Sequence, residues 1–145
     1  MSHQNLGSLP VYQKALELCT LSRELASFVT YNKNMLTLYQ SESHRDHIAD
    51  SLLTDAVLIP QQIARAETSD SVSDRMKSAT FIGIMIRNIS AYCNGLEQDG
   101  VREKEYLHLL RREIRIFRRS FKKWRKSIAH YGQNSETWNF REYLG

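Results

Sequence analysis

Six Gly and two Pro are few for a chain of 145 residues, and tight turns depend on those two residues more than on any others. A turn-dense β fold is thereby excluded, and no stretch alternates apolar and polar residues as a half-buried strand would. Cysteine is also scarce. Cys19 and Cys93, both with apolar neighbours, read as small buried hydrophobes in a reducing compartment, and no disulfide framework is available. No run approaches 18 apolar residues, and the first residues, Ser2, His3, Gln4 and Asn5, form no apolar block. Neither a membrane span nor a signal peptide is expected, and the protein is read as soluble and cytoplasmic. The chain also lacks a Gly-rich phosphate loop, a nucleophile elbow and paired carboxylates in an apolar setting. Acid–base chemistry has little to stand on, and no cofactor is expected.

What is present is helical periodicity. A content of 41% hydrophobic and 25% charged residues excludes wholesale disorder, and a chain of this length buries roughly two thirds of its surface in one core. Val11, Ala15, Leu18, Leu21, Leu25 and Phe28 recur at steps of three and four, one face of a helix from about Leu9 to Thr30, with Ser8 as N-cap and Pro10 in the first turn. The stretch from Met35 to Ser43 is ambiguous between a short helix and a loop with an apolar plug. Ile48, Leu52, Ala56, Ile59, Ile63 and Ala66 form a second stripe, opened by Ser43 and Asp46 at capping-box spacing, with Pro60 predicting a kink. A third stripe runs through Val72, Met76, Ala79, Ile82, Ile86, Ile89, Cys93 and Leu96. After a turn at Gln98, Asp99 and Gly100, the series Leu107, Leu110, Ile114, Phe117, Phe121, Trp124 and Ile128 keeps an a/d register over three heptads. Short loops then imply an all-α fold, an antiparallel up-down-up-down four-helix bundle over residues 1–131, followed by a polar tail over 132–145 that carries Trp138, Phe140 and Tyr143.

The formal net charge of +4 hides a steep gradient. Between Arg111 and Lys126 nine basic residues stand against the single acid Glu113, a local charge of +8, so everything else sums to −4. These are Arg111, Arg112, Arg115, Arg118, Arg119, Lys122, Lys123, Arg125 and Lys126, and they fill most of the last helix outside its apolar seam. An ordinary solvated face interleaves acids four residues away, which this one does not. It reads as a solvated face or as a surface for a polyanion or an acidic partner, with Arg supplying forked phosphate contacts. Arg87, beside Ile86 within the apolar run Phe81 to Ile89, is either a snorkelling flank residue or a contact at a subunit interface or RNA groove.

Two constellations suggest other chemistry. His44 and His47, near Glu42, Asp46 and Asp50, offer two metal ligands from one helix face, but no second half is evident and no metal site is expected. Arg125 and His130, five apart and followed by Tyr131, resemble the active-site motif of HEPN-type helical ribonucleases, with Lys126 where that family usually places a polar residue.

A broader resemblance covers about residues 9 to 128. Leu9-Pro-Val-Tyr-Gln-Lys-Ala-Leu-Glu-Leu resembles the opening of a bacterial four-helix family. Its members include proteins encoded by intervening sequences of large-subunit ribosomal RNA genes and the Avd proteins, accessory variability determinants of diversity-generating retroelements. Ile59-Pro60-Gln-Gln-Ile63-Ala64 is similar to a segment of the first branch. The stretch Ile114 to Ile128, with Trp124 followed by basic residues, resembles the Avd ending, although Ser120 and Phe121 replace small glycines and the polar tail is an extension. The resemblance implies a non-enzymatic, homopentameric assembly that binds RNA or an RNA/DNA hybrid and associates with a reverse transcriptase. The residues it would use here are Arg87, Arg111, Arg112, Arg115, Arg118, Arg119, Lys122 and Lys123.

Overall fold

The computed structural model describes residues 5–129, and the polar tail and His130 lie outside them. The described residues form five α-helices and no strand: α1 (Pro10–Val29), α2 (Met35–Gln40), α3 (His44–Thr68), α4 (Val72–Gln98) and α5 (Lys104–Ala129). The ambiguous stretch after Asn34 is thus a short helix, capped by the Asn34 side chain, which accepts from the Thr37 N–H. Leu38 is its one buried residue, the plug that holds α2 on α3.

Helix α1 packs against α3 and α5, and α4 packs against the same two, so the four long helices enclose one core. Leu18, Leu25, Leu52, Ile59, Ile63, Ile82, Ile89, Leu107, Leu110 and Phe117 are all fully buried there. The predicted stripes supply this core with few exceptions. Leu21, Ile48 and Val72 are half-buried at its margin. Phe28 does not face inward as expected. Four residues on from Leu25, Val29 takes the core position, and Phe28 is left 48% exposed with its ring 4.6 Å from that of Tyr106 at the α1–α5 edge.

The helix ends show why the boundaries fall where they do. Ser8 is not the N-cap of α1. It belongs to a 3-10 turn, Leu6–Ser8, and its hydroxyl donates to the Asn5 carbonyl; Leu9 occupies the cap without a side-chain bond, and Pro10 starts the helix. Only half of the expected capping box forms at α3. The Ser43 hydroxyl accepts from the Asp46 N–H, while the Asp46 carboxylate turns away to accept from Lys33 Nζ at 2.6 Å and Ser41 Oγ at 2.7 Å. Lys33 and Ser41 bracket α2, so one buried carboxylate closes the loop that carries it. Helix α3 then runs from His44 to Thr68 without interruption, with Pro60 buried inside it.

At the other end of the bundle's longest pair, α4 stops in a Schellman turn. Gly100 N donates to the Glu97 carbonyl and Val101 N to the Leu96 carbonyl, and the buried side chains of Val101 and Leu96 accompany the turn. Gly100 sits at φ +78°, where a Cβ is disfavoured.

Two measurements check this description. Gly100→Ala lowers unfolding stability in urea by about 1 kcal/mol, the usual cost of placing an L residue in the left-handed region. Burial alone would raise the Asp46 pKa, but the hydrogen bonds from Lys33 and Ser41 and the nearby Lys33 charge outweigh it and hold the carboxyl below its ordinary 3.8. A group depressed in the folded state contributes fully above its unfolded value and loses that contribution as pH falls through the folded one. Acid titration of stability therefore shows a loss beginning near pH 3.8 and extending below it, and Asp46→Asn flattens that limb.

Candidate nucleic-acid interface

The a/d seam of α5 decides where its charges go. With Leu107, Leu110, Ile114, Phe117, Phe121, Trp124 and Ile128 all buried, the residues between them must face outward or sideways. Arg112, Arg115, Arg119, Lys122 and Lys126 follow one another at steps of three and four and are all exposed, with Lys123 beside them. The stripe from Arg112 to Lys126 is about 21 Å long at 1.5 Å per residue. None of these six makes an ion pair among the described residues, where the ion pairs are Lys14–Glu17, Lys33–Asp46, Arg45–Asp99 and Arg111–Glu97.

Two of the expected residues hydrogen-bond within the fold, Arg111 in an ion pair and Arg118, itself exposed, through one nitrogen. Arg111 Nη2 lies 3.0 Å from Glu97 Oε1 and 2.9 Å from Asn94 Oδ1, and the pair holds the Glu97 carboxyl below its usual range. Arg118 Nη2 donates to Ser90 Oγ at 3.1 Å. Both contacts reach α4, so the basic flank of α5 is the one that leans on α4. They also set the register: later residues of α5 meet earlier residues of α4, and one helical turn before Ser90 the exposed Arg87 comes level with the Phe121–Lys122 step. This register sets the exposed Arg87 near the level of Arg118 and Lys122 along the paired helices. The opposite flank of α5, through Leu109 and Glu113, faces α1 and carries none of the cations.

The far end of α5 is anchored by a residue that periodicity missed. Arg75, buried on α4, donates from Nε to the Ile128 carbonyl at 3.2 Å and from Nη1 to the Ser69 carbonyl at 3.0 Å. A cation among the last carbonyls of α5 also suits the negative end of the helix dipole. Trp124 Nε1 donates to Glu67 Oε2 at 2.8 Å. The sequence signal for both was available only after the helices were set side by side, since each joins residues more than fifty apart.

Chemically, the surface offers positive charge and hydrogen-bond donors. The aromatic rings of α5 lie beneath it, Phe117 stacked on Phe121 at 5.9 Å and Phe121 tilted against Trp124 at 6.1 Å, and all three are buried, so bases cannot stack on them. No three His, Cys, Asp or Glu side chains come together among the described residues; Asp46 is held by Lys33 and Ser41, and His47 Nε2 contacts the Ser41 carbonyl. Cys93 is pushed up to about 11 by burial, only partly offset by Arg111, and is no nucleophile at neutral pH. Of Arg125 and His130 the structure places only Arg125, half-buried on α5 with its Nε enclosed and without a hydrogen-bond partner among the described residues. No helix of the described residues is long and apolar enough to cross a membrane. No protein-family model, no curated protein and no solved structure matches the chain.

The support under this face is testable. Arg75→Met leaves the Ser69 and Ile128 carbonyls without these donors and costs about 2 to 3 kcal/mol of stability, with amide exchange accelerating first in the last turn of α5.

Proposed function

We propose that the chain is a non-enzymatic RNA-binding accessory protein that associates with a reverse transcriptase in a diversity-generating retroelement. In this reading α1, α3, α4 and α5 make an antiparallel up-down-up-down four-helix bundle, and cytoplasmic copies assemble as a homopentamer. RNA or an RNA/DNA hybrid lies along the valley and ridge formed by Arg87, Arg112, Arg115, Arg118, Arg119, Lys122 and Lys123, while Arg111 holds the base of α5 against Glu97. One observation carries the nucleic-acid part: six exposed cations, Arg112, Arg115, Arg119, Lys122, Lys123 and Lys126, share one side of a helix and none of them pairs with a carboxylate among the described residues. Like charges at three- and four-residue spacing repel, and a phosphate backbone relieves that repulsion while releasing counterions. The retroelement, the reverse transcriptase and the number of subunits come from the resemblance of residues 9 to 128 to the Avd family. Repeating the ridge around a closed ring would concentrate the positive field that steers RNA to it.

Charge reversal tests the reading. Arg115→Glu, Arg119→Glu and Lys122→Glu together abolish salt-sensitive binding to a structured RNA while leaving the circular dichroism spectrum unchanged; retained binding by the triple variant refutes it. Glu97→Ala releases Arg111 to the polyanion and steepens the dependence of log K on log salt by about 0.7 to 0.9, one additional phosphate contact.

A further inference from the structure

Two grooves border α1 on different sides, and their charges are opposite. The first, about 620 Å³, lies between α1, α2 and α3 and is walled by Ala26, Met35, Leu38, Leu53, Val57 and Leu58. Its charged lining residues among those described are Arg23 and Lys33, and no acid occurs from Ala26 to Ser41. Helix α2 stands at its edge with Met35, Leu36 and Tyr39 exposed, Leu36 at 63% and Tyr39 at 76%. Arg23 reaches only the Cys19 sulfur within the described residues, at 3.8 Å. The second groove, about 450 Å³, lies between α1 and α5 on Leu16, Leu21 and Leu109, and its charged lining residues among those described are Glu17, Glu24 and Glu113. Leu16 and Leu109 are both nearly half exposed. Oε2 of Glu113 is enclosed there without a hydrogen-bond partner among the described residues.

From this we infer that the occupant of the acidic α1–α5 groove is a second copy of this chain, which inserts α2 and brings Arg23 to the Glu24–Glu113 rim. Exposed apolar side chains on one surface and an apolar floor on the other supply the burial. The charge arrangement selects the pairing. Two α2 surfaces facing each other would oppose Arg23 to Arg23, and two α1–α5 grooves would oppose carboxylates, whereas α2 against the α1–α5 groove pairs unlike charges and satisfies Glu113. Each copy carries both surfaces, so the contact is head-to-tail and repeats until it closes into a ring. The basic flank of α5 faces α4, away from both grooves, and stays free for a polyanion. The inference rests on the oligomeric part of the proposed function and assigns its interface.

Native mass spectrometry tests it. The wild-type chain gives a multiple of the 16.9 kDa protomer. Arg23→Glu and Glu24→Arg each reduce it to the single-chain mass with helicity intact. Mixing the two variants restores a larger complex, because each retains the surface the other has lost and the altered surfaces again pair unlike charges. A wild-type monomer, single variants that keep the wild-type mass, or a mixture that stays monomeric would each overturn the interface. RNA binding is read separately, on the wild-type chain and on the reassembled mixture: its absence in a protein that assembles counts against the proposed function and leaves the interface standing.

Discussion

Seven apolar side chains set three and four apart along α5, from Leu107 to Ile128, determine which way that helix faces. Burying them against α1 and α4 is the largest favourable contribution this segment has, since roughly 1.5 to 3 kcal/mol accompanies each large side chain removed from water. Nothing else in α5 favours folding to a comparable degree, because ten of its residues are like-charged. The hydrophobic seam therefore holds in register a set of cations that would separate if left to themselves, and the rest of the surface chemistry is the residue of that constraint.

The neighbouring elements follow from the same demand. Helix α4 must lie where its own apolar stripe closes the core, and that placement brings Ser90, Asn94 and Glu97 within reach of Arg118 and Arg111. Arg75, at the opposite end of α4, then meets the carbonyls at the end of α5. Polar contacts join α4 to α5 near each end of the pair, through Arg111 and through Arg75, and Arg118 adds one to Ser90 between them. The exposed cations occupy the stretch between these two fastenings.

Much of this was legible before any coordinates. Step lengths of three and four identified the core face of every long helix, and the Gln98-Asp99-Gly100 turn was visible as composition. Misreadings occurred where one position had two acceptable outcomes. After Leu25 either Phe28 or Val29 could have faced the core, and the smaller side chain took it. Ser8 had the right chemistry for a cap but was already used by the turn preceding it. Asp46 could have completed a capping box, but Lys33, thirteen residues earlier, bound it more favourably. The basic face was legible as a run of residues, yet the loss of Arg111 to Glu97 depended on a contact between helices, and single-helix periodicity contains no information of that kind.

The stripe on α5, without an ion pair among the described residues, also couples the protein's stability to its surroundings in two opposing senses. Added salt screens the repulsion among Arg112, Arg115, Arg119, Lys122 and Lys126 and so favours the folded chain on its own. In the proposed function the same salt would weaken attachment to a polyanion, which would act as a folding ligand by mass action. The free bundle and an RNA-bound one would then gain their stability at opposite ends of the ionic-strength scale, and a change in salt would exchange one source of stabilisation for the other.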